Sequence, residues 1–404
     1  MSDKPRIAYI LQDFHIGGME SLIYRTAYAL RDRYDFYFIA THVEEILPKF
    51  KELGTAIYIG KRWWELARYL RQEQIDLVQY GNIRYYADAA LAAGVPIVVE
   101  RTDGIRSGVA LRTKVGVDAV IASTQGTIPH IQKLIASDRI HLIYNGIDME
   151  QFDDVSPDRL GFAESDILIG RASRFSAGKN IGLLIDAVRQ LHPDYPQVRL
   201  ILVGGNSKMP GAQDEESILR KRAESLGDQV IFTGYVENPA AIIKGFDIGT
   251  CVSRPGNEGI PNSLIESMAG SSPVVATAVD DIPELVSHGE NGLLIADNDL
   301  AGLVEALKTL INDPDLRRKF GEAGRSRVEA DFNLNAQSQA YGNLYAQLLE
   351  KRPSQGEIVL RRIRFSLRLF MTINSEKFIP ASVRQLMRRV EGKLRLMLNG
   401  DDSR

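Results

Sequence analysis

The stretch "FDIGTCVSRPGNEGIPNSLIESMAGSSPVVAT" occupies residues 246–277. It opens on an apolar run, Phe246 to Ser253, and turns through a loop of glycine, proline and asparagine, Gly256 to Pro261. A helical segment runs from Asn262 to Gly270, and a second apolar run, Pro273 to Thr277, closes the unit. Short unbroken apolar runs joined by a helix are how buried parallel strands and their crossovers read in sequence. The unit predicts strand, loop, helix, strand, with the loop at the carboxyl end of the first strand.

The same alternation extends in both directions. Toward the N-terminus of this half it includes "ILIGRAS" (167–173), a helix over 180–191, "VRLILVGG" (198–205), a helix over 214–226, "QVIFTG" (229–234) and a helix over 238–244; "GLLIA" (292–296) and a helix over 299–311 follow it. An earlier series runs through "RIAYIL" (6–11), a helical pattern at 19–33, "DFYFIA" (35–40), "AIYIG" (56–60), "DLVQY" (76–80), "PIVVE" (96–100) and "AVIAS" (119–123). Residues 142–166, dense in turn formers and acids, break the rhythm and read as a linker. The predicted fold class is α/β: two facing Rossmann-like doubly wound domains with an interdomain cleft, plus a basic helical C-terminal tail. The expected boundaries are 1–160, 161–330, a helix at 331–350 packing back on the body, and a tail at 351–404. Ligands of such sheets bind outside the carboxyl ends of the strands.

Composition narrows the function. At 44% hydrophobic and 25% charged, the 404 residues suit an ordinary globular protein. A formal net charge of −3 gives no general attraction to nucleic acid. One cysteine, Cys251, allows no disulfide framework, and the six histidines have no metal-ligand spacing. No metal site or cofactor is expected. No apolar run reaches the ~20 residues of a spanning helix, so a cytoplasmic location is the expectation. The charge is uneven: residues 351–404 carry 13 Lys/Arg against 5 Asp/Glu, and the rest 36 against 47. In the tail, Val383, Leu386, Met387, Val390, Leu394 and Met397 fall on one helical stripe, with Arg384, Arg388, Arg389, Lys393 and Arg395 largely away from it. That pattern fits a helix on an anionic membrane surface and equally a helix packed on the body or a partner. Peripheral membrane contact through 358–398, at the inner face, is therefore an expectation beside internal docking.

Several loops suit phosphate. Gly17 and Gly18 stand between the first strand and first helix, where a ligand can approach the backbone. Arg174 and Lys179 flank a small-residue loop after the first strand of the second half, a forked and a point-like cation together. Val236 stands in "TGYVEN" (233–238), a loop that can offer backbone groups to a base edge. In the opening unit, the helix starts near Asn262 or Ser263, and its free amides attract an anion. Glu266 lies about one turn further in, and a carboxylate can accept from both hydroxyls of a ribose.

These residues, taken as E-G-x-P-x4-E-x-M-A from Glu258 to Ala269 with "RFSAGKN", "VGGN", "TGYVEN", "YNGID" and Gly17-Gly18, resemble the retaining glycosyltransferases of family 4, of the GT-B fold, over most of residues 5–350. The resemblance implies that Glu266 binds the donor ribose and that Glu258 stands near the donor sugar hydroxyls. It implies backbone contacts from Gly259, Ile260, Asn262, Ser263 and Leu264 to sugar and diphosphate, and from Val236 to the base. Arg174 and Lys179 would neutralise the leaving diphosphate, and Gly18 would approach the phosphates, with no metal required. The expected partners are a UDP- or GDP-sugar and an unknown acceptor hydroxyl, a lipid-linked one among the candidates. Family members often carry a histidine in a T-x-H stretch after an N-domain strand; here "VVERTDG" puts Asp103 near that position. Asp103 joins Glu258, Arg174 and Lys179 as the expected catalytic set, and His15 borders the glycine loop while His130 is expected on a helix surface. Two other readings keep the fold: a nucleotide-sugar epimerase or phosphorylase, and a non-catalytic nucleotide-sugar-binding subunit.

Overall fold

A computed structural model describes residues 3–12, 14, 18–42, 48–81, 84–102, 116–206 and 213–373. Gly17, Asp103, His15 and the stripe from Val383 to Met397 lie outside the described residues.

The apolar runs pair side by side in parallel, as their composition predicts. In the first half the strands are β1 (Arg6–Leu11), β2 (Asp35–Ala40), β3 (Gly54–Tyr58), β4 (Leu77–Gly81), β5 (Ile97–Thr102), β6 (Ala119–Ala122) and β7 (Ile140–Leu142), in the order β3-β2-β1-β4-β5-β6-β7. Helices α1 (Gly18–Leu30), α2 (Pro48–Leu53), α3 (Trp63–Gln72), α4 (Arg84–Ala93), α5 (Ile128–Gln132) and α6 (Glu150–Asp153) join them or follow. The second half has β8 (Ile167–Ala172), β9 (Val198–Val203), β10 (Val230–Gly234), β11 (Ile248–Cys251), β12 (Val274–Thr277) and β13 (Gly292–Ile295), in the order β10-β9-β8-β11-β12-β13. Its helices are α7 (Ile181–Leu191), α8 (Glu215–Ala223), α9 (Ala240–Lys244), α10 (Asn262–Ala269), α11 (Ile282–Leu285), α12 (Leu300–Asn312) and α13 (Pro314–Asp331). Both orders reverse beside the first strand of their half, the switch point at which doubly wound sheets bind ligands.

Two differences from the sequence reading have simple causes. β7 lies at the sheet edge, is three residues long and only half-buried, so no apolar run marks it. The helix expected over 214–226 ends at Ala223 and continues as a 3-10 turn, where Gly227 takes a φ of 49°.

The last described helices return to the first half. α14 (Leu334–Glu350) is capped by Asn333, whose side chain accepts from the Ala336 amide at 2.7 Å. It buries Tyr341 and Tyr345 in the first core. The Tyr345 hydroxyl donates to Gln79 at 2.6 Å and meets the Tyr9 hydroxyl at 3.0 Å. α15 (Gln355–Ile373) lies on α4 and buries Ile358, Leu360 and Phe365. Arg361 reaches Asp118 at 2.8 Å. Ile358, Leu360 and Phe365, in the first part of 358–398, thus face the body, while Val359 is exposed. Among the described residues, no helix is long and apolar enough to cross a membrane.

Candidate functional site

The loop between β11 and α10 is built by a carboxylate that sequence inspection does not single out. Asp280, three residues beyond the end of β12, accepts from the amides of Gly256 at 2.7 Å, Asn257 at 3.0 Å and Glu258 at 3.1 Å. Asp280 itself has a φ of 49°, a conformation that Asp tolerates better than most side chains. The clamp fixes the backbone that presents Glu258.

The Glu258 side chain is 8% exposed. Its Oε1 accepts from Lys179 Nζ at 2.6 Å, Ser253 Oγ at 2.5 Å and Arg171 Nη2 at 3.3 Å. Burial alone would push this carboxyl up; Lys179 and Arg171 outweigh it and hold it below the ordinary glutamate value. Glu258 is therefore a carboxylate at neutral pH. Lys179 also donates to the Asn257 carbonyl at 3.2 Å, so the expected cation and the expected glutamate meet. Arg174 is exposed and, among the described residues, makes no ion pair.

Arg171 was not foreseen. It lies within β8, 1% exposed, and donates to the Thr250 carbonyl at 3.1 Å, Ser253 Oγ at 3.3 Å and Ser263 Oγ at 3.5 Å besides Glu258. The one signal for it is its position: an arginine inside the run "ILIGRAS", where a buried charge needs partners.

α10 begins at Asn262 with Pro261 before it, and the Leu264 amide bonds the Pro261 carbonyl at 3.0 Å. The amides of Asn262 and Ser263 precede the first intrahelical carbonyl, as at every helix start. Ile260 and Leu264 bury their side chains, so only their backbones can serve a ligand. Glu266 faces the first half, and among the described residues its carboxylate accepts no hydrogen bond. Burial raises its carboxyl, and Arg25 of α1 acts in the opposite direction. Val236 is half-buried on the second core beyond β10, beside the exposed Tyr235. Gly18 opens α1. His130 is exposed on α5.

The two halves touch around this helix. Asn145 donates to Asn262 Oδ1 at 3.0 Å and accepts from Arg101 Nη2 at 2.5 Å, and Arg101 also bonds Tyr341. Glu284 of α11 accepts from the amides of Gln125 at 2.8 Å and Gly126 at 2.6 Å. In the first half, Glu100 of β5 is buried and accepts from the Tyr80 hydroxyl at 2.9 Å; burial pushes its carboxyl up to about 7.

The geometry sets an anion-attracting helix start and two cations beside a fixed carboxylate, with a second carboxylate a turn along. A family model described as "Glycosyltransferase Family 4" matches residues 16–151, and one described as "Glycosyl transferases group 1" matches residues 166–313. A GDP-mannose-dependent monoacylated alpha-(1-6)-phosphatidylinositol monomannoside mannosyltransferase of Corynebacterium glutamicum is 26% identical over 69% of this chain and 78% of its own length. An alpha-maltose-1-phosphate synthase of Mycolicibacterium smegmatis is 30% identical over 54% of this chain and 59% of its own length. Across the curated relatives the matched span runs from about half, 49%, to 78% of their length. In fold, the chain is similar to Anabaena Alr3699/HepE, solved in complex with UDP and glucose: the TM-score is 0.72, at 23% identity, covering 85% of this chain and 100% of that one.

Proposed function

The chain belongs to the family-4-like glycosyltransferases of the GT-B fold, and we propose that it moves a sugar, with retention and without a metal, from a UDP- or GDP-sugar to an acceptor hydroxyl. The observation that carries this reading is the α10 unit: the open helix start at Asn262 and Ser263, with Lys179 and Glu258 on one side and Glu266 one turn on. Sugar, diphosphate and ribose follow one another along a nucleotide sugar, and these groups follow one another along the loop and helix. The GDP-mannose named for the Corynebacterium relative and the UDP and glucose of the Anabaena structure agree with such a substrate.

Breaking the sugar–diphosphate bond builds positive charge on the sugar and negative charge on the leaving oxygen. Arg174, Lys179 and the α10 amides meet that negative charge, and one such donor is worth ~3 kcal/mol in a transition state. Glu258 is held ionised and so has no proton to give. With one oxygen already accepting from Lys179, Ser253 and Arg171, it suits sugar hydroxyls through the other better than proton transfer. In the retaining course the acceptor approaches on the face the diphosphate leaves, and the departing phosphate takes the acceptor's proton. A lipid-linked acceptor goes with the basic segment 358–398, and liposome flotation of the full chain against one ending at Glu350 tests that part; equal flotation contradicts it.

A thermal-shift panel of UDP-, GDP- and ADP-sugars tests the whole reading. One nucleotide class should stabilise the protein, and Glu266→Ala should lose most of that shift. No shift with any donor, or an unchanged shift in the variant, contradicts it.

A further inference from the structure

In the structure, Lys179 and Glu258 are partners, yet the donor reading gives Lys179 a second anion, the diphosphate. A lysine that turns to the phosphate leaves a buried carboxylate behind. The groups facing Glu258 decide what happens to it. From the loop after β8 comes Lys179, its side chain 20% exposed on a flexible stem. From β8 comes Arg171, 1% exposed. β11 contributes Cys251, with Sγ 3.7 Å from Oε1 and a thiol that burial pushes up, and Ser253 follows it. After β12, Asp280 faces the same loop, with its carboxylate already taken by the three loop amides. Among the described residues, the two cations and the Ser253 hydroxyl favour the charged form, and of the two cations only Lys179 is partly exposed.

We propose that Arg171 is a positioning residue: it keeps Glu258 fixed and ionised when Lys179 turns away, and so releases Lys179 for the donor's diphosphate. Four anchors hold its guanidinium: the Thr250 carbonyl, Ser253 Oγ, Ser263 Oγ and Glu258 itself. They span β11, the loop and the first turn of α10, so the arginine also fixes the carboxylate relative to the helix start. Without it, Lys179 would serve two anions at once, and Glu258, held by Ser253 alone, would take up a proton on losing Lys179. Its Oε2, which accepts no hydrogen bond among the described residues, would then no longer offer a carboxylate oxygen to a sugar hydroxyl. The destination of Lys179 rests on the donor reading; the hold of Arg171 on Glu258 is a property of the empty protein.

The test removes Lys179 and reads Glu258 directly. The full chain is labelled with 13C at the glutamate carboxyl carbon, and the Glu258 resonance is assigned by its loss in Glu258→Gln. In Lys179→Met, its titration midpoint should stay at or below the ordinary glutamate value. In Lys179→Met/Arg171→Met the midpoint should rise by more than about one pH unit. Lys179→Met/Arg171→Lys, which keeps the charge and loses the fork, should fall between them, and it decides alone if the Met variant does not fold. Equal midpoints with and without Arg171, or a Glu258 already protonated at neutral pH in Lys179→Met, overturn the proposal. No nucleotide enters this experiment. A chain that binds no nucleotide sugar fails the thermal-shift panel and still returns an answer here.

Discussion

Glu100 and Glu258 are buried carboxylates toward the carboxyl ends of two parallel sheets of like topology, and the two halves treat them in opposite ways. Glu100 has a neutral partner, the Tyr80 hydroxyl, and burial pushes it up to about 7. Glu258 is buried too, but Lys179 and Arg171 hold it below the ordinary value. The next residue along β5, Arg101, points away to Asn145 and Tyr341, so the cation beside Glu100 in sequence does not compensate it. One half stores a carboxylate that trades its charge for burial. The other fixes a carboxylate among cations beside an anion-attracting helix start, the preorganised arrangement that a diphosphate leaving group needs.

The largest effect expected from breaking this contrast is on transfer. Lys179→Ala should lower the turnover of the donor that the panel selects by roughly 10²–10³-fold, with the fold intact by far-ultraviolet circular dichroism. Next comes the pH dependence of stability. Glu100 binds its proton more tightly folded than unfolded, so the folded protein should lose stability as pH rises from about 4.5 to about 7, by up to ~3 kcal/mol. Glu100→Gln should flatten that slope in urea unfolding series. Glu258 has the opposite sign: its contribution is present above its unfolded value and is lost as pH falls through the lower folded one, so Glu258→Gln should flatten only the acid side. Smaller still, Asp280→Asn keeps the left-handed backbone and one acceptor. It should cost ~1 kcal/mol and speed amide exchange at Gly256 and Glu258, with the exchange of α7 unchanged. At the low end, Arg62→Ala breaks an ion pair whose side chains are 66% and 41% exposed and should change stability by less than ~0.5 kcal/mol.

Much of the fold was legible because buried parallel strands must be apolar throughout, and runs such as "RIAYIL" and "VRLILV" can be little else. β7 was not legible: three half-buried residues at a sheet edge leave no run to see. The site divides the same way. Lys179, Glu258 and the start of α10 stand on loops whose composition is itself the signal, and the structure brings them together. Arg171 hides inside an apolar run, and its role depends on β11 and α10 closing over it. Asp280 reaches a loop 22 to 24 residues back, a pairing that exists only once β11 and β12 lie side by side. Arg101 and Asn145 tie the first half to Asn262 across 117 residues and more, and local pattern holds no trace of such a contact.

The central claim is that the α10 unit grips a nucleoside diphosphate by two separate ends, ribose at Glu266 and diphosphate at Lys179. Titration calorimetry with the nucleoside monophosphate and diphosphate of the selected base measures both. Glu266→Ala should weaken the two ligands alike, whereas Lys179→Ala should weaken the diphosphate and leave the monophosphate nearly unchanged. Equal losses for both ligands in both variants would contradict the claim.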